Sequence, residues 1–201
     1  MSNICKGDII MEKYNPISEE ERFHTPRMAD VEVSYQSEDG QTTINHTIIR
    51  SRPSVAVIII NDDNYVALLK HFRTTTGSWY WEIPTGLIKE GENLREAAKR
   101  EVEEKVGLVL KGIWQLSFGP NLLDPSKSDE NYGIALAYFE GPTERHLEEQ
   151  KVKENDIVWV PIEKVFERLK DQIGKGKPFK DNMFMSGHSV YAFLTYYFLE
   201  N

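Results

Sequence analysis

The chain has 201 residues, of which 40% are hydrophobic, and it carries a formal net charge of −8. This length fits one substantial hydrophobic core with a short extension better than two full domains. The acidic balance argues against broad binding to nucleic acid or to an anionic membrane, because those surfaces attract clustered Lys and Arg side chains. An anionic ligand would therefore need a local positive charge.

Cysteine usage limits both the compartment and the kind of metal site. The single cysteine, Cys5, can form neither an intrachain disulfide nor a thiolate metal cluster. Any metal would be held by oxygen or imidazole, and a cytoplasmic location is expected. Residues 1–12 contain no long apolar run, and no segment approaches the ~20 apolar residues of a membrane helix. We therefore expect neither a signal peptide nor a membrane helix.

The first pattern along the chain predicts a β-hairpin. Two partly alternating runs, residues 31–35 and 42–49, flank a turn that contains Asp39-Gly40. A lone hairpin is marginally stable in water, so it should pack on the main domain or on a second copy of the chain. We predict that residues 1–52 form an N-terminal arm through which the chain makes a homodimer, and that residues 53–201 form the main domain.

The main domain shows predicted strands interspersed with helices. Apolar segments predict strands at residues 55–60, 65–70, 78–83, 113–118, 132–139 and 157–160. Helical spacing predicts helices at residues 93–106, 162–173 and 190–198. This order predicts an α/β or α+β sandwich, in which a mixed β-sheet lies between helices.

The first predicted helix carries charge on its apolar face. Its apolar arc consists of Leu94, Ala97, Ala98, Val102 and Val106. Glu101 and Lys105 fall inside this arc, and Glu104 lies at its edge. Charges directed at a core cost several kcal/mol unless they are paired or bound to metal, so the pattern indicates a salt bridge or a metal site. Oxygen ligands suit Mg²⁺ or Mn²⁺, which can bind phosphate oxygens while a P–O bond breaks.

At this helix the sequence resembles a known family. Gly86, Glu92 and the segment 100–108 resemble the Nudix box, G-x5-E-x7-R-E-U-x-E-E-x-G-U, where U is aliphatic. Every fixed position matches except Lys105, where the family has a glutamate. The wider order of elements, from residue 29 to the C-terminus, resembles the ADP-ribose pyrophosphatase branch. The resemblance implies a Nudix fold and metal-dependent hydrolysis of a nucleoside diphosphate linked to another moiety, such as ADP-ribose or a nucleotide sugar.

The resemblance also implies roles for single residues. Glu101, Glu104 and the Thr85 carbonyl would hold the metal, with both glutamates catalytic. Residues near the substrate would be Arg73, Glu82 and Glu130. Glu154 would be the general base, with Glu149 as the second choice. The structural part of the motif would be Gly86, Glu92, Arg100 and Gly107.

Lys105 leaves a second function open. An ammonium cannot coordinate Mg²⁺, and it brings like charge to a metal site. Glu101 precedes Lys105 by four residues, the favourable order for a helical ion pair. Lys105 would then neutralise Glu101 in place of a cation. The alternative function is therefore a catalytically impaired module that binds a nucleotide-type ligand for regulation.

Overall fold

The computed structural model describes residues 13–108, 110–117, 121, 124–140, 157–179 and 183–200. They form two compact units. The first comprises the described residues up to Ser51 together with residues 124–130. The second comprises the described residues from Arg52 to Asn121 and from Asn131 onward.

The first unit contains a three-stranded antiparallel sheet in the order β1-β2-β3. Its strands are β1 (Tyr14–His24), β2 (Met28–Ser37) and β3 (Thr43–Ser51). β2 and β3 form the hairpin expected from the sequence, and Gly40 in its turn has φ of 73°. Strand β1 was not predicted. Its side chains are almost all exposed, so it carries no alternation of apolar and polar residues.

The second unit is built on one mixed sheet of eight strands. The strands are β4 (Ser54–Asn61), β5 (Tyr65–Arg73), β6 (Ser78–Glu82), β7 (Thr85–Leu87), β8 (Gly112–Gln115), β9 (Tyr132–Phe139), β10 (Ile157–Pro161) and β11 (Phe184–Met185). Six of them lie in the order β11-β6-β5-β4-β9-β8, while β10 pairs with β5 and β7 pairs with β4. The pairs β4–β9 and β11–β6 are parallel, and the others are antiparallel.

Helices cover both faces of this sheet. They are α1 (Leu94–Val106), α2 (Ile162–Lys175) and α3 (Gly187–Glu200). On β4, Val57 belongs to the core that includes α1, and Ile58 belongs to the core that includes α2 and α3. Burial of both faces explains why β4 is apolar without alternation. The predicted mixed sheet between helices is confirmed. None of the helices in the described part of the chain is both long and apolar enough to cross a membrane.

Local signals fix both ends of α1. Asn93 is the N-cap, and its side chain accepts from the backbone N–H groups of Arg95 and Glu96. The Glu96 side chain accepts from the Asn93 N–H, which completes a capping box. Gly107 ends the helix with φ of 67°, a left-handed conformation that favours glycine. These contacts define where α1 begins and ends.

Candidate functional site

The site begins where β7 brings its backbone against α1. Gly86 on β7 pairs with Val55 of β4, so its position is fixed by the sheet. A Cβ atom at Gly86 would overlap the carboxylate of Glu101. Glycine is therefore required here, because the buried Glu101 carboxylate fills the space of a side chain.

Arg100 holds the turn between β7 and α1 against the helix. Its Nε and Nη2 donate to the two carboxylate oxygens of Glu92 at 2.8 and 2.9 Å, and Nη2 also donates to the Leu87 carbonyl at 2.8 Å. Its Nη1 donates to Oε1 of Glu101 at 2.5 Å. The bidentate bond from Arg100 lowers the pKa of Glu92 from 4.5 to about 2. The same bond raises the pKa of Arg100. Glu92 and Arg100 thus stay charged and clamp the turn.

Lys105 lies between two of the expected metal donors. Its Nζ donates to the carbonyl oxygen of Thr85 and lies 3.1 Å from Oε2 of Glu101. Because Arg100 binds the other oxygen of Glu101, each carboxylate oxygen faces one cation. The structure therefore brings Thr85 and Glu101 together around an ammonium group.

Glu104 lies at the edge of this cluster. Its side chain is 57% exposed, with Oε2 3.4 Å from Nη1 of Arg100 and Oε1 4.0 Å from Nζ of Lys89. Lys89 was not among the residues expected at the site. It lies in the turn after β7, and only the folded turn brings it to the helix.

The donor set does not fit a divalent metal while Lys105 holds this position. Two of the three expected ligand groups, Thr85 and Glu101, already accept from or pair with its ammonium. Over the described ranges, no three His, Cys, Asp or Glu side chains are arranged to hold a metal ion. A divalent metal could bind these two groups only after the ammonium of Lys105 leaves them.

Arg73 and Glu82 form a second ion pair, between the neighbouring strands β5 and β6. Nε and Nη2 of Arg73 donate to the two oxygens of Glu82 at 2.8 and 2.5 Å. Glu82 is buried, whereas the Arg73 side chain is 43% exposed. The bond raises the pKa of Arg73. Two residues expected near the substrate thus contact each other, and Glu82 orients the guanidinium.

Glu130, Glu154 and Glu149 were also expected at the site. Glu130 belongs to the first unit, and its backbone N–H donates to Oγ of Ser128 at 2.9 Å. Glu154 and its alternative Glu149 lie outside the described residues. The roles of all three stay predictions.

Comparison with known proteins identifies the family. The model of the NUDIX domain matches residues 50–182. The chain is 29% identical over 155 residues to CMP-5'-(N-acetyl-N-hydroxy-3-aminopropyl)phosphonate hydrolase of Streptomyces rubellomurinus, covering 74% of this chain and 68% of the relative. It is 28% identical over 134 residues to ADP-ribose pyrophosphatase of Mycobacterium tuberculosis, covering 65% of this chain and 62% of that relative.

A solved structure, an ADP compounds hydrolase, shares the fold with a TM-score of 0.64 at 21% identity and covers 94% of both chains. The resemblance to the Nudix family, inferred from the box, and to ADP-ribose pyrophosphatases, inferred from the wider order of elements, is confirmed. The chain therefore belongs to the Nudix hydrolase family.

Proposed function

We propose that this Nudix hydrolase cleaves a nucleoside diphosphate joined to a second group, with ADP-ribose and related nucleotide sugars as the first substrates to test. Water would add across the P–O–P bridge and leave two monophosphate products. The observation that carries the proposal is the buried carboxylate of Glu101, held against Gly86 by the Arg100 clamp. The names of two relatives support this class, since one is an ADP-ribose pyrophosphatase and the other hydrolyses a CMP-linked phosphonate.

Arg73 is the proposed phosphate contact. Its Nε and Nη2 bind Glu82, which directs the remaining Nη1 away from the ion pair. A guanidinium fixed in this way loses little conformational freedom when it binds an anionic oxygen. Glu130 as a substrate contact and Glu154 as the general base belong to the same proposal.

The metal belongs to the proposal as well. Nudix hydrolases generally use divalent metals such as Mg²⁺. The proposed donors are the Thr85 carbonyl, Glu101 and Glu104, and the first two become available only when the ammonium of Lys105 moves away. A metal bound there would neutralise phosphate charge.

The experiment is a substrate panel. Purified protein is incubated with ADP-ribose and other nucleoside diphosphate sugars, with Mg²⁺ or Mn²⁺, and monophosphate release is measured. We expect release that stops in excess chelator and that falls at least about tenfold in Glu101→Gln. Lys99→Glu, on the exposed side of the same helix, serves as the control. If folded protein releases no product from any panel member, hydrolysis of this class is rejected.

A second function is favoured by one observation, the position of Lys105. The ammonium satisfies Glu101 without a metal, which suits a module that binds a nucleotide-type ligand for regulation. In that case the panel gives no turnover, and ligands raise the melting temperature equally with and without chelator.

We also propose that the protein works in the cytoplasm, because it has a single cysteine and a net charge of −8. A homodimer formed through the N-terminal arm is its proposed assembly.

A further inference from the structure

The ammonium of Lys105 occupies the position at which the proposed metal would contact α1. It contacts the Thr85 carbonyl at the start of β7 and lies 3.1 Å from Oε2 of Glu101 on α1. These two oxygens come from different elements and converge on one nitrogen. An ammonium group has three N–H donors and no lone pair, so it can serve both oxygens at once but cannot join a metal's ligand shell.

Charge around the site is already balanced by the chain itself. The three box carboxylates, Glu92, Glu101 and Glu104, lie within 4.0 Å of cationic groups supplied by Lys89, Arg100 and Lys105. A divalent ion that entered between Thr85 and Glu101 would meet the positive charge of Lys105 at contact distance. It would also have to displace the hydrogen bond to Thr85 and the ion pair with Glu101.

We infer that Lys105 is the resident cation of this site and that it takes the place of one divalent metal. The side chain is 44% exposed, and its ammonium donates to the Thr85 carbonyl and forms an ion pair with Glu101. Because an ammonium group has three N–H donors, one of them can also bind an anionic oxygen of a ligand. The chain therefore binds a diphosphate group through Lys105 itself, a step that rests on the ligand class proposed above.

Metal affinity is the primary test, measured by titration with Mn²⁺ and electron paramagnetic resonance. Wild type is compared with Lys105→Glu, Lys105→Gln and Lys99→Glu. Lys99 pairs with Glu103 on the exposed side of α1, so Lys99→Glu makes the same charge change on the same helix away from the box. We expect Lys105→Glu to bind Mn²⁺ more tightly than wild type by on the order of ten- to a hundredfold, because a carboxylate replaces the ammonium. Lys105→Gln gains less, and Lys99→Glu resembles wild type.

The inference is overturned if wild type binds Mn²⁺ as tightly as folded Lys105→Glu. If Lys105→Glu fails to fold, Lys105→Gln decides, since removal of the like charge alone raises metal affinity. An unchanged affinity in that variant rejects a resident cation.

Ligand binding provides a separate readout. The probe is α,β-methylene-ADP, whose P–C–P bridge resists hydrolysis, and its affinity is measured by calorimetry with chelator or with Mn²⁺. Wild type should bind equally in both conditions, Lys105→Gln more weakly, and Lys105→Glu only with Mn²⁺. If the substrate panel shows no turnover while this pattern holds, the hydrolase proposal fails and the inference stands. If turnover depends on a metal that wild type binds tightly, the hydrolase proposal stands and the inference fails.

Discussion

Gly86 and Glu101 show how one residue type is dictated by another that lies fifteen positions away in the sequence. The carboxylate of Glu101 occupies the space that a side chain at position 86 would need. Because Arg100 and Lys105 hold that carboxylate from both sides, it cannot move aside without loss of an ion pair.

The first prediction follows from this contact. Gly86→Ala should lower the free energy of unfolding by about 1–3 kcal/mol, because the new methyl group displaces a buried, paired carboxylate. Urea unfolding measures the change. Gly174→Ala is the control, since nothing lies within 4 Å of a Cβ at this position of α2. It should be neutral or stabilising by up to about 1 kcal/mol. If Gly86→Ala and Gly174→Ala change the free energy of unfolding equally, overlap with the Glu101 carboxylate is not the cause.

Glu92 gives a prediction of pH dependence. Its pKa in the folded chain is about 2, below the ordinary value of 4.5, because Arg100 binds its carboxylate. The stabilisation is therefore fully present above about pH 4.5 and is lost as the pH falls towards 2. The lowering corresponds to about 3 kcal/mol. Glu92→Gln should lose about 2–3 kcal/mol at pH 7, and less as the pH falls.

The measurement is urea unfolding of wild type and Glu92→Gln at several pH values between about 7 and 3. The difference between the two proteins isolates Glu92 from the other carboxylates. A difference that stays constant over this range would show that Arg100 does not lower the pKa of Glu92.

The ends of helix α1 depend on signals within its own sequence. Asn93 caps the helix and Gly107 ends it, in agreement with the helix predicted at residues 93–106. The packing of α1 depends instead on distant residues. A Cβ atom at Gly133 of β9 would overlap the side chain of Leu94, so this glycine permits close approach of helix and sheet.

The cap carries its own prediction. Asn93→Ala should destabilise the protein by about 1 kcal/mol, because the N–H groups of Arg95 and Glu96 lose their acceptor. Thermal unfolding by circular dichroism measures the loss. Glu96→Gln can still accept from the Asn93 N–H and should change stability by no more than about 0.5 kcal/mol. A larger loss in Glu96→Gln than in Asn93→Ala would contradict the capping box.

The sequence indicated the elements whose pattern is local and strong. The buried strand β4 was predicted from its continuous apolar run, and the amphipathic helix α2 was predicted from the helical spacing of its apolar residues. Strands β7 and β11 have three and two residues, too few to show any period.

Contacts within the site were less predictable. The pair of Glu101 and Lys105 followed from helical spacing. Two other contacts depend on how the strands and the helix pack together: the bond from Lys105 to the Thr85 carbonyl and the pair of Arg73 with Glu82. No periodic pattern in the sequence indicates such packing.

The first unit exposes several large apolar side chains. They are Ile17, Phe23, Met28 and Ile49, with exposed fractions of 55%, 61%, 47% and 40%. Three of them, together with Ala29, line one groove on this unit. Exposed apolar surface of this kind is typical of an interface.

We predict that wild type has the mass of a dimer by light scattering. Ile49→Lys should shift the protein towards monomer, since burial of a new charge in an interface costs free energy. Gln41→Lys adds the same charge in the turn between β2 and β3 and should leave the mass unchanged. A monomeric mass for wild type at working concentration would reject the arm as a dimer interface.

The ammonium at position 105 also has a genetic consequence. Lysine and glutamate codons differ in their first base, so a single nucleotide change replaces Lys105 with a third carboxylate beside Glu101 and Glu104. Gly86, Glu92 and Arg100 already hold the surrounding turn in shape. An all-carboxylate box is therefore one mutational step away, within reach of random mutagenesis under selection for turnover.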